Sequence, residues 1–208
     1  MKKIPDERSL THMNGHLLCA IDCETTGLNP VENEIIQICI LPLNSNFTPY
    51  KKYPPFYIRM KPLNTRSIDF QALAINDTKI MDLMKTGIDP DFAATMLDEW
   101  FQKLNLPFRK KLSPLAHNWA FDRDFIKNWL GPTSFEDFFD FRVRDTMQLA
   151  TYLNDVADYK CEEYPFPKQG LSYMCNKLKI EHEFMHDALQ DCLLTAQVYQ
   201  RMVKMGFV

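Results

Sequence analysis

The sequence predicts an α/β domain built on a mixed sheet. Three observations carry that expectation. Apolar and β-branched segments crowd the first third of the chain, helix-spaced apolar residues take over next, and strand-like and helical segments alternate from there to the end. The 208 residues suit one domain, and a hydrophobic fraction of 46% is enough for a packed core. The expected layout is a polar, loose arm over residues 1–14 and a single domain over 15–208.

Taken in order, His16–Cys23 is an apolar run ending in acids and reads as a buried strand. Glu34–Leu43 is rich in Ile and reads as a second strand, and Pro55–Lys61 as a third. The Pro- and Asn-containing stretch between the last two, including residues 44–57, reads as a hairpin-type connection with a mobile tip that departs from a minimal domain. A short helix is expected from Ser67. Asp89-Pro90 then opens a longer one to Leu104, with Phe92, Met96, Leu97 and Trp100 on its inner face. Leu112–His117 reads as a strand, residues 120–129 as a helix, Phe139–Val143 as a strand and Asp145 onward as a helix. Gly170–Lys179 and Asp187–Lys204 complete the pattern as two more helices.

Composition excludes several classes. Only 6 Gly rule out a collagen-like chain, and no apolar run reaches the ~18–20 residues of a membrane span. The first residues lack the apolar core of a signal peptide. Six cysteines without a regular spacing read as reduced thiols of a cytoplasmic protein. A net charge of −3 argues against a broad basic coat for nucleic acid, but not against an enzyme that meets phosphates through cations.

Three segments carry chemistry. In Ile21-Asp22-Cys23-Glu24-Thr25-Thr26-Gly27-Leu28, Asp22 and Glu24 are two apart on a strand and project to one side. Paired carboxylates repel unless a hard cation such as Mg²⁺ or Mn²⁺ lies between them; the alternative is two solvated acids before a turn. In His117-Asn118-Trp119-Ala120-Phe121-Asp122, Asp122 falls in the first helical turn, where an acid can also serve merely to favour the helix N-terminus. In His186-Asp187-Ala188-Leu189-Gln190-Asp191, the histidine stands at the mouth of a helix and Asp191 one turn inside. Their alternative roles are a cap and a surface acid.

Together these segments resemble the DEDDh branch of the DnaQ-like 3′→5′ exonucleases, the group that includes the DNA polymerase III epsilon and RNase T proteins. The likeness extends to neighbouring residues: DCETTGL, HN-x-x-FD-x-x-F, H-x-A-L-x-D, and the intervening Arg144-Asp145-Thr146, so that it covers about residues 16–203. It implies an RNase H-like fold, a five-stranded mixed sheet flanked by helices. It also implies hydrolysis assisted by two divalent metal ions, Mg²⁺ or Mn²⁺. On that resemblance Asp22 bridges both ions, Glu24 and Asp191 complete the first, Asp122 holds the second, and His186 is the general base, a task an imidazole suits near neutral pH. The resemblance places Thr25, Thr26 and Leu28 around the 3′-terminal nucleotide, and His117 and Asn118 near the phosphate.

The implied partner is a nucleic acid with a free 3′ end, with single-stranded or frayed DNA favoured. RNA, as in RNase T-like or oligoribonuclease-like proteins, is the alternative. A polymerase partner is possible but not favoured, because the sequence ends at Val208 without a long extension, and no membrane role is expected. His182-Glu183-x-x-His186 matches a zinc-protease pattern, but no third ligand follows. His12, His16, Cys19 and Cys23 make a poor zinc set, because the two cysteines lie far apart along one strand. The basic run Arg109-Lys110-Lys111, and Lys51 and Lys52 among Tyr50, Tyr53 and Tyr57, are weak candidates for nucleic-acid contacts.

Overall fold

Two strands of this chain are apolar almost without a break, because both their faces are covered. The computed structural model describes residues 15–69, 80–182 and 186–205. The two strands are β1 (Leu17–Thr25) and β2 (Ile35–Pro42); every residue of β2 is buried, as is every residue of β1 except the partly exposed Asp22. With β3 (Phe56–Arg59), β4 (Leu112–Ala116) and β5 (Arg144–Asp145) they form one sheet in the order β3-β2-β1-β4-β5. β1, β2 and β3 are antiparallel neighbours, while β4 and β5 run parallel to β1. The helices among the described residues are α1 (Ile80–Thr86), α2 (Pro90–Lys103), α3 (Trp119–Leu130), α4 (Pro132–Phe138), α5 (Thr146–Tyr159), α6 (Leu171–Lys177) and α7 (Ala188–Met205).

The period of two along β1 sorts its side chains into two layers. Leu17, Cys19, Ile21 and Cys23 pack with Ala93, Leu97 and Trp100 of α2 and Phe125 and Ile126 of α3. Leu18 and Ala20 face α7, which approaches through the small residues Ala188, Cys192 and Ala196. The outer side of α7, with Leu194, Val198 and Met202, is covered by Ala150, Phe166, Leu171 and Met174. Among the described residues no helix is long and apolar enough to cross a membrane, and the six cysteines are free thiols.

Several expectations need correction. No helix starts at Ser67: Thr65–Ser67 is a 3-10 turn and Ile68 is already extended, while residues 70–79 lie outside the described residues. Phe92 is 61% exposed. The buried stripe of α2 is Ala93, Leu97 and Trp100, and Phe92 stands one position, about 100°, off it. The strand expected over Phe139–Val143 is reduced to a single bridge between Phe139 and Leu112, and regular pairing begins only at Arg144. Asp140 accounts for this. Its carboxylate accepts from the backbone and guanidinium of Arg142 and pairs with the buried His16, bending the chain outward so that Phe141 is exposed. Helices α1 and α4 were not expected; each has seven residues and buries only one, Leu83 and Phe138 respectively, too little to leave a periodic signal. The arm over 1–14 lies outside the described residues.

Candidate active site

β1 and β4 run side by side only from Leu17 to Ala20. Beyond Ala20, β1 continues to Thr25 paired with β2 alone. A crevice therefore opens past the carboxyl end of β4, the usual place for ligands in an open α/β sheet. Asp122, in the first turn of α3, closes one side: its Oδ1 accepts a hydrogen bond from the Cys23 backbone N–H at 2.9 Å. Asp22 and Glu24 project on the α7 side of β1, and Asp191 comes down from the first turn of α7. Ligand atoms of Glu24, Asp191 and His186 lie within 4.8 Å of one another.

The electrostatics of this cluster are unfavourable without a cation. Burial, then the nearby Asp122, Glu24 and Asp191, push the Asp22 carboxyl well above its usual range. Burial and the charges of Asp191 and Asp187 push Glu24 up to about 8. Asp122 is raised chiefly by burial despite the hydrogen bond from Cys23, and Asp191 is raised by burial against the opposing pull of His186. Asp191 Oδ2 accepts from the His186 backbone N–H at 3.2 Å, whereas its Oδ1 is buried with no hydrogen-bond partner among the described residues. An orphaned carboxylate oxygen in a pocket of raised carboxyl groups suits a hard divalent cation. His186 itself is exposed, with its backbone in the left-handed region at φ 72°.

The structure thus brings Asp22, Glu24, Asp122, Asp191 and His186 together. The other predicted positions divide. Leu28 is 78% exposed at the rim. Thr25 and Thr26 are buried, and their hydroxyls hold the turn: Thr25 donates to the Gly27 carbonyl, and Thr26 accepts from the Glu34 N–H. His117 is half-buried, its Nδ1 2.7 Å from the Thr146 hydroxyl, and burial lowers its pKa. Asn118 is exposed with left-handed backbone. Trp119 is buried against Phe135 and Phe139 and serves the core. His182 bonds to the Ile180 carbonyl and the Ser172 hydroxyl, in the segment between α6 and α7, so His182 and His186 do not share a helix as the zinc-protease pattern requires.

Sequence reasoning missed four supporting residues. Asp145 caps two helices at once, accepting from the Trp119 N–H of α3 at 2.7 Å and the Met147 N–H of α5 at 2.8 Å. Gln37, Tyr57 and Asp187 form a hydrogen-bonded group beside Glu24. Gln37 left a signal, as the lone polar residue in the run IIQICILP.

A family model described as "Exonuclease" (RNase_T) matches residues 19–199. The chain belongs to this exonuclease family. It falls within the DnaQ-like 3′→5′ exonuclease family. The chain is similar to the DNA polymerase III PolC-type protein of Listeria welshimeri, at 30% identity over 89% of its length; it spans only 11% of that relative's length. It is 29% identical over 88% of its length to the DNA polymerase III subunit epsilon of Buchnera aphidicola, of which it covers 69%. Among solved structures, Escherichia coli exonuclease I in complex with a dA16 oligonucleotide superimposes with TM-score 0.70 at 18% identity, over 91% of this chain and 41% of that one. A 3′-exonuclease that recognises the histone mRNA stem-loop gives TM-score 0.67 at 16% identity, over 99% of this chain and 68% of that one. These likenesses bear out the RNase H-like fold.

The turn after β1 depends on Gly27. A Cβ there would lie 2.5 Å from the buried carboxamide of Asn33, whose Oδ1 accepts from the Asn29 N–H. Gly27→Ala is expected to lower stability by about 1–3 kcal/mol through overpacking and to displace Leu28. Thermal melting and the KM for an oligonucleotide check this; an unchanged melting temperature and KM would refute it.

Proposed function

We propose that the chain is a divalent-metal-dependent 3′→5′ exonuclease that releases nucleoside 5′-monophosphates from single-stranded or frayed DNA 3′ ends. The observation that carries the reading is the crevice in which burial, with neighbouring acids, raises the carboxyl pKa values of Asp22, Glu24, Asp122 and Asp191, and in which Asp191 Oδ1 has no partner among the described residues. Asp22, Glu24, Asp122 and Asp191 would hold two Mg²⁺ or Mn²⁺ ions. When bound, such ions stabilise the charge that develops on the phosphate and on the leaving oxygen.

The chain's own residues supply the rest. His186 takes a proton from the attacking water as the new P–O bond forms. The P–O3′ bond breaks and the departing O3′ takes up a proton from solvent, leaving a shortened strand with a 3′-hydroxyl and a free nucleoside 5′-monophosphate. Exposed Leu28, on the turn held by Thr25 and Thr26, offers an apolar face to the terminal base. His117 and Asn118, at the start of α3, would meet the phosphate.

The DNA preference follows the relatives, which are DNA polymerase proteins, and exonuclease I, solved with a DNA oligonucleotide. Those same relatives favour a second reading, proofreading beside a polymerase. The reduced thiols suit the cytoplasm. The test is a time course on DNA and RNA of one sequence, labelled at the 5′ end, with Mg²⁺, Mn²⁺ or EDTA. Stepwise shortening from the 3′ end is expected with metal, faster on DNA, and none in EDTA. A faster RNA ladder would replace the substrate, and shortening in EDTA would overturn the metal dependence. Stimulation only by an added polymerase would favour the second reading.

A further inference from the structure

Helix α7 must deliver Asp191 and His186 to a strand it does not hydrogen-bond along its length. Its contact with the sheet runs through Ala188, Cys192 and Ala196, small residues packed on Leu18, Ala20, Cys39 and Leu41, with one weak thiol bond from Cys192 Sγ to the Cys39 carbonyl at 3.6 Å. Such apolar contact is non-directional. A small slide of the helix would cost it little, yet would carry Asp191 away from Glu24. Something directional has to set the register.

That element lies on β2 and β3. Gln37 is the Cα partner of Glu24 across β1–β2 and is buried. Both ends of its carboxamide engage the start of α7. Oε1 accepts from the Ala188 N–H at 2.9 Å, and Nε2 donates to Asp187 Oδ2 at 3.1 Å and to the Tyr57 hydroxyl at 2.6 Å. The Tyr57 hydroxyl in turn donates to the same Asp187 Oδ2 at 2.7 Å. Asp187 Oδ1 is left to accept from the Leu189 and Gln190 N–H groups at the head of the helix, each at 3.2 Å. One carboxylate therefore grips the helix with one oxygen and the sheet with the other. Within α7 the Asp191 N–H bonds to the Asp187 carbonyl at 2.9 Å, and Asp191 Oδ2 holds the His186 N–H. Fixing Asp187 therefore fixes both functional residues relative to Glu24.

We propose that Gln37 and Tyr57 are positioning residues that act through Asp187 to set the register of α7, and with it the convergence of Glu24, Asp191 and His186. The proposal rests on the exonuclease reading above for its catalytic consequence. Neither residue touches the reacting atoms; each acts by holding an oriented group in place.

Tyr57→Phe deletes only the hydroxyl, and Gln37→Leu removes both grips at nearly constant volume. In steady-state assays on a 5′-labelled DNA oligomer, Tyr57→Phe is expected to lower kcat about tenfold with KM within about twofold, and Gln37→Leu to lower it further. In an Asp187→Ala background, Tyr57→Phe is expected to add no further loss, because the bond is already gone. A second readout needs no turnover: Mn²⁺ titration of the metal-free protein, followed by electron paramagnetic resonance, is expected to show about tenfold weaker binding in both single variants, with circular dichroism unchanged. Wild-type kcat and Mn²⁺ affinity in both variants would overturn the proposal, as would full additivity of Tyr57→Phe with Asp187→Ala. A wild-type protein that binds Mn²⁺ but shortens no oligomer would refute the exonuclease reading, and the Mn²⁺ titration would still decide the clamp.

Discussion

Replacing Asp22 with asparagine is expected to reduce exonuclease turnover about a thousandfold or more, while the metal-free protein becomes more stable. The two effects have one cause. Asp22 sits at the centre of the carboxylate cluster, beside Asp122, Glu24 and Asp191, and its own carboxyl is pushed well above the usual range by burial and those neighbours. An asparagine keeps the shape and removes the charge. The cluster then holds one fewer repelling group in the absence of a cation, and one fewer ligand in its presence. Initial rates with saturating Mg²⁺ and thermal melting in EDTA check both halves. A variant that keeps the wild-type rate, or that melts lower than wild type in EDTA, would contradict the assignment. A structural acid whose loss merely unfolds the domain would lower both quantities together, so the opposite signs separate a functional carboxylate from a scaffold one.

The stability of the metal-free protein is expected to fall as pH rises from about 5 to about 8. Glu24 is the clearest contributor, with an ordinary value of 4.5 and a folded value of about 8. Below about 4.5 the group is protonated in both folded and unfolded chains, and its contribution is fully present. As pH rises toward 8 the unfolded chain ionises freely, while the folded one must hold the proton or place a charge beside Asp191 and Asp187. The stability is lost across that window. Asp22, Asp122 and Asp191 are raised as well and act with the same sign. Each pKa unit corresponds to about 1.4 kcal/mol, so the shift of Glu24 by itself is appreciable against a typical folding free energy of about 5–15 kcal/mol. Mg²⁺ or Mn²⁺ binds the ionised folded site and should reverse the loss. Melting curves from pH 5 to pH 9 in EDTA, repeated with millimolar Mn²⁺, should therefore diverge as pH rises. An EDTA curve that is flat or climbs over this range would show that these carboxylates are not held in the raised state.

Much of the site was legible because its signals are local. Asp22 and Glu24 declare a shared side through the two-residue strand period, and the structure keeps them on the α7 face. Asp122 announced itself by its place in the first turn after a strand, and the structure puts it there. Three strands of the sheet were legible for the same reason: β1, β2 and β3 each carry enough apolar or β-branched residues to be read singly. Where the pattern was thin, reading failed. The segment 139–143 is apolar enough for a strand, but the buried Asp140 turns it outward through a local bond to Arg142 and a contact with His16 that no local window contains. Phe92 shows the same limit on a smaller scale. Its apolar character is plain, but only the packed helix shows that the buried stripe passes one residue away.

By itself, the sequence determined the first three strands, the longer helices and the three motifs, and through the family they resemble which carboxylates and which histidine are the candidates, because periodicity and motif spacing are written in neighbouring residues. Only the tertiary structure decided how they meet. The bond from Cys23 to Asp122 spans 99 positions and the one from Gln37 to Ala188 spans 151. Contacts of that range depend on where β4 stops pairing with β1 and on how α7 seats on the sheet. A one-dimensional pattern marks a polar residue such as Gln37 as unusual in its strand; only the folded chain supplies the helix whose position it holds.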